Sequence, residues 1–586
     1  MKNTVFNILK VLLLIAALIF LELNRNTLIG WFLTALIVSA YIYLYKTTQI
    51  NKVLLFIAAV LLFAASVFLS WPPYRFVRAV SVKDPKPSEI VTTNYGKVKG
   101  VLNKDETVAV YAGIPYARRP VGELRWKQPQ EPESYPGTLI ADHFMYRSMQ
   151  EENLPLYDSL TRIIGYHDFR ISLQDNFVEP VSEDSLNLNI FKPNREANGL
   201  PVLVFVHGGS LQNGHSSTFD YNGENLAKED IIFVSLTYRL GAFGFLADRQ
   251  LAEESKNHTT GNYGLLDVLQ ALKWIHGNIA YFGGDPDNVT LAGESAGAAL
   301  VSALCTSPLA QGLFERAVLE SSTLASKVPP HSYRQFDEAL ASGEKLKKRY
   351  GVSDVNELRS LPAKELVKEA DSQHHITVDG YVLTEDPYES YQKGIHNEKA
   401  ILHGFNSEES GPFVIFSQAD MKNYEEKLRY YFGDLTNEVL ALYPAETDKQ
   451  ARENWAKVYG ALFFNYPHYC LNRLAVSNGI PVYEYRFSKH NGSLGPWHSG
   501  EMIYLYGNIP ERSAVYDDSD RKLSKTMSSY LVNFVRNGNP NGNDLPEWKE
   551  NLDSNTLMQF DVKIGIIDDD LISLYAIMDR LYGFQS

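Results

Sequence analysis

Three apolar stretches open the chain, at 5–23, 28–45 and 53–71, and the first of them holds Lys10. Each has about the length of a helix that crosses a bilayer. Buried soluble helices are the alternative, but the short polar links cannot supply a protein shell around helices that are apolar on every side. We therefore predict three transmembrane helices. The first alone would fit a signal peptide, yet two further spans follow it with no small-residue cleavage pattern between them, so we expect the segment to be retained.

The basic residues around these stretches give a weak signal for orientation. Lys2, Lys46 and Lys52 would share one side of the membrane and Arg25 the other, which favours a cytoplasmic N-terminus. Three basic residues after the third span favour the opposite orientation, but long domains translocate largely regardless of charge. We expect a multi-pass membrane protein whose large C-terminal body is extracytoplasmic.

Prolines mark the end of this membrane region. Pro72 and Pro73 end the third helix, and Pro85 and Pro87 follow before the pattern changes. We predict a membrane region at 1–71, a linker at 72–88 and a soluble domain at 89–586.

From residue 89 onward, short apolar runs alternate with helical patterns. The continuous apolar run at 202–206 is typical of a strand buried on both faces, 231–236 is predicted to be another buried strand, and 482–487 is the last clear strand. The stretch 264–279 has the broad apolar face of a helix. Shorter strands are expected at 317–319 and 400–403. This alternation predicts an α/β fold with a mostly parallel central sheet flanked by helices. The stretch 144–181 lacks sustained periodicity, so we expect a long surface loop that helps to form a rim.

Charge and cysteine content exclude several function classes. The chain of 586 residues has a net charge of -14, and because the residues before Trp71 carry five basic and one acidic side chain (+4), the remainder carries -18. An acidic body of this kind repels nucleic acid. Cys305 and Cys470 are too few for a disulfide scaffold, and we expect both to be buried free thiols. His374 and His375 lack companion ligands at useful spacing, so no metal site is predicted.

A short strand, a sharp turn and a helix start are predicted at 288–300, with Ser295 at the turn. Gly293 and Gly297 flank the serine in the G-x-S-x-G pattern of a nucleophile elbow. The pentapeptide alone also fits a glycine-rich helix entry, but the preceding apolar run and the small residues that follow supply the strand–turn–helix setting. We interpret Ser295 as a nucleophile.

A serine nucleophile needs a base, a group that orients the base, and donors for the oxyanion. The strand at 202–206 delivers His207-Gly-Gly-Ser at its end, a loop whose backbone N–H groups can converge on one point. His498 lies in a loop after the last clear strand and follows the acidic segment 404–410, which gives the order serine, acid, histidine. The residues alone leave the choice of acid within that segment open.

Together, these motifs and several others resemble the type-B carboxylesterases, the α/β-hydrolases that include cholinesterases. The resemblance extends from about residue 89 to the C-terminus. It rests on the elbow, on His207-Gly-Gly, and on Gly113-Ile-Pro-Tyr-Ala, Pro120-Val-Gly-Glu-Leu-Arg, Ser182-Glu-Asp-Ser-Leu-Asn-Leu-Asn, Tyr238-Arg-Leu-Gly-Ala-Phe-Gly-Phe-Leu, Gly261-Asn-Tyr-Gly-Leu-Leu-Asp and Phe282-Gly-Gly-Asp-Pro-Asp-Asn-Val-Thr.

The resemblance implies a role for particular residues. The family pattern G-x-N-x-x-E selects Glu409 rather than Glu408 as the acid, and His498 as the base. The implied oxyanion donors are the backbone N–H groups of Gly209, Ser210 and Ala296. The implied structural ion pairs are Arg125 with Glu183, and Arg239 with Asp267.

The chain departs from the family pattern at several points. Ser185 and Ser148 stand where the resemblance implies the two cysteines of the first disulfide. The disulfide is therefore absent, and the resemblance does not predict the shape of the 144–181 loop. Ser210 replaces a glycine of the donor loop, which is harmless if only its N–H is used. No tryptophan lies between Trp126 and Trp274, so the cation-binding aromatic residue of cholinesterases has no candidate there.

The prediction is a membrane-anchored serine hydrolase that cleaves small carboxylic esters through an acyl-enzyme, with neither metal nor other cofactor. A non-catalytic adhesion or receptor protein of the same fold is the alternative, and the intact set of Ser295, Glu409 and His498 weighs against it. A relative with an aspartate nucleophile is disfavoured because the elbow carries serine. The ester itself does not follow from the sequence, since its pockets are built by loops.

Overall fold

The computed structural model describes residues 2–166, 177–327, 333–368, 375–490, 495–511, 513, 515–551 and 555–584. These residues divide into two units. The first comprises Met1–Val77 and Glu152–Pro180, and the second comprises Arg78–Glu151 and Val181–Ser586.

The first unit contains the N-terminal helices α1 (Lys2–Leu23), α2 (Leu28–Thr47) and α3 (Lys52–Leu69). Helices α2 and α3 are long and apolar enough to cross a membrane, whereas the apolar stretch in the described part of α1, Val11–Leu23, is shorter. The prediction of three transmembrane helices is therefore reduced to two candidates, and a multi-pass topology is not supported. Length and composition fit membrane spans and also a signal sequence near the N-terminus.

A fourth helix, α4 (Pro155–Tyr166), corrects the prediction of a long loop at 144–181. Its apolar residues Leu156, Leu160 and Ile163 recur at intervals of four and three, which is helical spacing. Pro155 is suited to the first turn of a helix, where its missing N–H has no intrahelical role. Residues 152–180 cluster with the N-terminal helices in the first unit. Residues 167–176 of the predicted loop lie outside the described residues.

The second unit is organised around one large sheet. Its strands in the described residues are β1 (Pro87–Thr93), β2 (Gly96–Leu102), β3 (Val108–Pro115), β4 (Thr138–Ile140), β7 (Asn187–Pro193), β8 (Leu200–Val206), β9 (Ile232–Leu236), β10 (Gly284–Glu294), β11 (Arg316–Glu320), β14 (Ile401–Asn406), β15 (Val482–Phe487), β16 (Thr556–Phe560) and β17 (Gly565–Asp568), while β5 (Arg147–Ser148) pairs β6 (Val181–Ser182) and β12 (Tyr333–Gln335) pairs β13 (Ile376–Val378). The strand order is β1-β2-β3-β7-β9-β8-β10-β11-β14-β15-β16-β17, with β4 beside β2.

The central strands run parallel, and the edges are antiparallel. In the order of the large sheet, every neighbouring pair from β9 to β16 is parallel. The pairs β1·β2, β2·β3, β3·β7, β7·β9 and β16·β17 are antiparallel, and β4 pairs parallel with β2. Because parallel strands need crossover connections, helices intervene between them. The helices of this unit are α5 (Glu224–Lys228), α6 (Gly241–Phe245), α7 (Arg249–Glu254), α8 (Tyr263–Asn278), α9 (Ala296–Thr306), α10 (Phe336–Tyr350), α11 (Val355–Ser360), α12 (Ala363–Leu366), α13 (Pro387–Gln392), α14 (Gly411–Val414), α15 (Tyr424–Phe432), α16 (Thr436–Leu442), α17 (Asp448–Gly460), α18 (Tyr466–Ser477), α19 (Met502–Leu505), α20 (Asp518–Asn537) and α21 (Ile572–Tyr582).

This architecture confirms the predicted α/β fold. The apolar runs at 202–206 and 231–236 form β8 and β9, which lie side by side and are buried almost throughout. The predicted helix at 264–279 forms α8, and Leu265, Val268 and Leu272 on its apolar face are fully buried in the main core. Cys305 and Cys470 are both buried free thiols, as predicted.

Candidate active site

The residues predicted for the triad and the oxyanion donors all follow strands of the large sheet and lie at its carboxyl edge. The parallel strands β8, β10, β11, β14 and β15 are consecutive neighbours, and each delivers polar residues at its carboxyl end. In α/β sheets, ligands bind at this edge. The topology therefore brings together segments that lie between residues 207 and 501 of the sequence.

The turn at Ser295 joins β10 directly to α9. Ser295 has φ 54° and ψ -126°, a conformation that non-glycine residues rarely adopt, and its N–H donates to the carbonyl oxygen of Glu320 at 2.8 Å. A Cβ on Gly293 would lie 2.5 Å from the backbone carbon of Gly297, and a Cβ on Gly297 would collide with the carbonyl oxygen of Val206. The two glycines are thus required by close backbone approach, and they leave the serine half-exposed at the tip of the turn.

The predicted donor loop packs directly onto this turn. A Cβ on Gly208 would lie 2.6 Å from Glu294 Oε2 and 2.9 Å from the Cβ of Ser295. The next residues turn sharply, with φ 107° at Gly209 and φ 56° at Ser210. Within the described ranges, the backbone N–H groups of Gly209, Ser210 and Ala296 donate no hydrogen bond to another protein group.

His207, the first residue of the donor loop, is held in place by Tyr238. Its ring stacks on Tyr238, with the centroids 4.6 Å apart, and Tyr238 Oη donates to the carbonyl oxygen of His207 at 2.9 Å. Burial lowers the pKa of His207 to about 4, so the imidazole is neutral. A neutral ring is a structural part of the loop rather than a second base.

The structure brings Glu409 and His498 into direct contact. His498 Nδ1 lies 2.6 Å from Glu409 Oε2, and both side chains are buried. The other oxygen, Glu409 Oε1, accepts from Ser321 Oγ at 2.6 Å and from the backbone N–H of Asn406 at 2.7 Å. The carboxylate is therefore fixed in orientation and holds one nitrogen of the imidazole. Glu408 is half-exposed and lies 3.2 Å from His490 instead.

The other imidazole nitrogen faces a second carboxylate. His498 Nε2 lies 3.3 Å from Oε1 of Glu294, the residue directly before the serine, and Glu294 Oε1 also accepts from Ser499 Oγ. Among the residues that the structure describes, no hydrogen bond joins the Ser295 hydroxyl to His498. Catalytic hydrogen bonds are often long or misaligned in the absence of substrate. In this resting arrangement the imidazole bridges two carboxylates.

The electrostatics of the site are dominated by buried acids. Glu294, Glu320, Glu409 and Glu501 are all less than 5% exposed. Burial disfavours the charged form of His498, but Glu294 and Glu409 outweigh this effect and raise the pKa of the imidazole to about 9. Burial, together with the charges of Glu409 and Glu294, raises the pKa of Glu501 to about 8. Burial also raises the pKa of Glu294 and of Glu320.

Several of these groups were not identified from the sequence. Glu294 lies inside the elbow motif, so its position next to the nucleophile was a usable signal. Glu501 follows His498 by three residues and accepts from Asn406 Nδ2 at 2.5 Å. Ser321 had no signal, because its contact with the acid spans 88 residues of sequence.

The remaining site residues lie outside this cluster and form buried ion pairs. Arg125 Nε donates to Glu183 Oε2 at 2.6 Å, and Arg239 Nε donates to Asp267 Oδ2 at 2.7 Å. Both pairs are bidentate, since a second nitrogen of each guanidinium contacts the other carboxylate oxygen. Such pairs fix loop segments and have no direct role at the serine.

The two serines at the implied disulfide position also meet. Ser148 Oγ and Ser185 Oγ are 2.9 Å apart and buried, and Ser148 Oγ donates to the carbonyl oxygen of Tyr238 at 2.6 Å. A hydrogen bond thus occupies the place of the implied covalent link. In the described part of the chain, no group of three or more His, Cys, Asp and Glu side chains could hold a metal ion, and His374 lies outside that part.

Comparisons with known proteins identify the family. The sequence model of the carboxylesterase family matches residues 87–566. The chain is 32% identical over 510 residues to fumonisin B1 esterase of Sphingopyxis macrogoltabida, covering 83% of this chain and 89% of that protein. It is 32% identical over 479 residues to para-nitrobenzyl esterase of Bacillus subtilis, covering 77% and 90% respectively. Among solved structures, a PNB esterase is similar with a TM-score of 0.70 at 29% identity, over 84% of this chain and 99% of that one. The carboxylesterase EST55 of Geobacillus stearothermophilus has the same TM-score and identity, over 83% and 99%.

Proposed function

We propose that Ser295, His498 and Glu409 carry out ester hydrolysis in this chain, which belongs to the carboxylesterase family and is a carboxylic ester hydrolase. The observation that carries the proposal is the contact of 2.6 Å between His498 Nδ1 and Glu409 Oε2, next to a strained serine turn. A buried carboxylate on Nδ1 leaves Nε2 as the nitrogen that exchanges protons.

In the proposed first half-reaction, the Ser295 hydroxyl attacks the ester carbonyl carbon and His498 Nε2 takes its proton. The negative charge that develops on the carbonyl oxygen is accepted by the backbone N–H groups of Gly209, Ser210 and Ala296. Glu409 stabilises the imidazolium. The tetrahedral intermediate then collapses, and the alcohol leaves with the proton from Nε2.

The second half-reaction repeats these steps with water as the nucleophile. His498 Nε2 takes a proton from water, the hydroxide attacks the acyl-serine, and the acid is released as Ser295 recovers its proton. The resting contact of Nε2 with Glu294 must give way to the serine for either half-reaction.

The direct test is the Ser295→Ala variant of the full chain. We expect hydrolysis of a short p-nitrophenyl ester to fall by about six orders of magnitude, and labelling by a fluorophosphonate probe to disappear. The exposed Ser360→Ala variant is the matched control and should keep both. Hydrolysis and labelling that survive in Ser295→Ala would refute the assignment, and a wild-type chain that shows neither would favour the non-catalytic alternative.

We also propose that α2 and α3 anchor the chain in a bilayer with the catalytic body on the extracytoplasmic side. Two spans return the chain to its starting side, so this arrangement places the residues before α2 on the extracytoplasmic side as well, and it replaces the cytoplasmic N-terminus expected for three spans. Support comes from apolar side chains that remain largely exposed along α3, including Leu54 (61%), Leu61 (66%) and Phe68 (75%). We expect the protein to stay in the membrane pellet after alkaline carbonate extraction, and to react with a membrane-impermeant fluorophosphonate on intact cells. A soluble protein whose N-terminus has been removed would instead identify a signal sequence.

A further inference from the structure

The segment that carries α4 is bonded at both of its ends to the residues that follow α3. At its start, Tyr74 Oη donates a hydrogen bond to Glu152 Oε2 at 2.8 Å. At its end, the backbone N–H of Arg75 donates to the carbonyl oxygen of Val178 at 3.0 Å, and the N–H of Val178 donates to the carbonyl oxygen of Pro73 at 3.0 Å. The first unit therefore holds this segment where the chain leaves α3.

These bonds lie at one end of the N-terminal helices. The connection between α1 and α2 is beside the end of α3, because Asn26 Nδ2 donates to Ser70 Oγ at 2.8 Å and the N–H of Thr27 donates to the carbonyl oxygen of Ser70 at 2.9 Å. In the same connection, Arg25 lies 3.9 Å from Glu179. A helix that crosses a bilayer has its ends at the membrane surface. If α2 and α3 are spans, the segment with α4 lies at that surface.

Helix α4 presents an exposed apolar face. Leu154 is 61% exposed, Tyr157 is 57% exposed and Leu160 is 38% exposed. Helical bonding begins at Leu154, whose carbonyl oxygen accepts from the N–H of Tyr157 at 2.8 Å. The three residues therefore recur at intervals of three along one side of the helix. Leu156 and Ile163 are more buried. We name Leu154, Tyr157 and Leu160 the apolar stripe.

The surroundings of the apolar stripe favour a bilayer as the partner that covers it. Exposed apolar surface marks contact with a protein or a membrane. A second copy of the chain is a poor fit, because three side chains of one helix fall far short of the roughly 800 Å² per partner that a stable interface buries. Apolar exposure also extends to α1, which contacts α4 and whose Val11 and Ile19 are 56% and 51% exposed. In the two-span arrangement, α1 and α4 lie on the same side of the membrane.

Resting on the proposed membrane anchor, we infer that α4 is an interfacial helix whose apolar stripe lies in the extracytoplasmic surface of the bilayer. Leu154 and Leu160 contact acyl chains, and the hydroxyl of Tyr157 reaches the head groups, as amphipathic aromatic side chains do at this depth. Such helices bury their apolar face about 5–10 Å into the boundary between head groups and acyl chains. The catalytic body is then held to the membrane at two points of the chain, through the linker after α3 and through α4.

The test is fluorescence of the full chain in phosphatidylcholine vesicles, with the environment-sensitive dye NBD attached to Tyr157→Cys. Cys305 and Cys470 are buried, so the dye reacts with the new thiol. We expect the emission to move to shorter wavelength. A doxyl group near the lipid head group should quench it more strongly than one deep in the acyl chain, because the stripe enters the bilayer by only about 5–10 Å. Leu160→Cys should give the same result, and retained ester hydrolysis shows that each variant is folded.

The matched control is Tyr281→Cys, because Tyr281 is 53% exposed and lies just before β10. Its dye should keep a water-like emission that neither lipid quenches. Equal quenching at this position would overturn the inference, because the contact would not be specific to the apolar stripe.

The remaining outcomes separate the inference from the anchor on which it rests. Dyes at Tyr157→Cys and Leu160→Cys that stay water-like in a chain that resists carbonate extraction would overturn the inference while the anchor stood. An emission shift that grows with protein density and is not quenched by lipid would assign the stripe to a second copy instead. A chain that carbonate extracts would contradict the anchor, and the membrane contact of α4 with it.

Discussion

Replacing Glu294 by glutamine should move the acidic limb of the pH profile to lower pH. The change keeps the shape of the side chain and its contact with Ser499, but it removes the negative charge that lies 3.3 Å from His498 Nε2. That charge favours the imidazolium. Without it, the pKa of His498 falls, and the neutral imidazole that can accept the serine proton is present at lower pH.

The size of the shift follows from the distance. Two unit charges 3.3 Å apart interact by about 5 kcal/mol at an effective dielectric constant of about 20. At about 1.4 kcal/mol per pKa unit, this corresponds to an upper limit of roughly 3.7 units. Burial raises the pKa of Glu294, which disfavours its charged form, so the shift should fall below this limit. We therefore expect a shift of about one to two units, within the range that such pairs show.

The assay is kcat/KM for an uncharged ester between about pH 5 and 10, because this parameter reports the ionisation of the free enzyme. In the wild-type chain the pKa of His498 is raised to about 9, so kcat/KM should rise with pH through the neutral range. Glu320→Gln is the matched control. Its carboxyl is equally buried but accepts from Tyr506 Oη at 2.6 Å and does not contact the imidazole, so its limb should move by less than about half a unit.

Three outcomes would refute the reasoning. An unchanged limb in Glu294→Gln would mean that the contact with Nε2 has no electrostatic consequence in solution. A limb displaced to higher pH would mean that Glu294 disfavours the imidazolium, so that its effect on the pKa of His498 is opposite to the one expected. A shift of equal size in Glu320→Gln would assign the effect to the general acidity of the buried cluster.

Three further predictions concern stability. Gly297→Ala should lower the free energy of unfolding by about 1–3 kcal/mol in a urea titration, because the added Cβ overlaps a carbonyl oxygen of a neighbouring strand. Asp267→Asn should lower it by about 3–5 kcal/mol, because the guanidinium of Arg239 is left buried without its partner charge. Replacing Ser148 and Ser185 together by cysteine should allow a disulfide where the two hydroxyls are 2.9 Å apart, and raise stability by about 2–4 kcal/mol.

Each of these has a clear contrary result. Unfolding curves that match the wild type would contradict the packing at Gly297 or the burial of the ion pair at Asp267. For the double cysteine variant, a thiol titration of the denatured protein separates the cases. Cys305 and Cys470 are the two free thiols of the chain, so a count of two shows the new disulfide and a count of four shows that it did not form.

The order of the main strands and the sharp turn that carries Ser295, the proposed nucleophile, were determined by the sequence itself. Apolar runs of strand length predicted β8 and β9, and a glycine on each side of Ser295 predicted the sharp turn. These features depend on residues that are neighbours in the chain, so they can be read without knowing the fold. The prediction of a loop at 144–181 was partly wrong, because only three apolar residues at helical spacing indicate the helix and they lie among many polar and aromatic residues.

The electrostatic environment of the site was decided only by the tertiary structure. Glu294 Oε1 accepts a hydrogen bond from Ser499 Oγ, 205 positions away in the chain. The same oxygen lies 3.3 Å from Nε2 of the His498 imidazole. Phe464 faces His498 because of one π-helical turn, which no local pattern indicated. Local patterns specify backbone conformation over a few residues. The burial of a side chain and the charges around it depend on which distant segments the parallel sheet brings to its carboxyl edge. Contacts between those segments set the pKa of the His498 imidazole and the surface beside it.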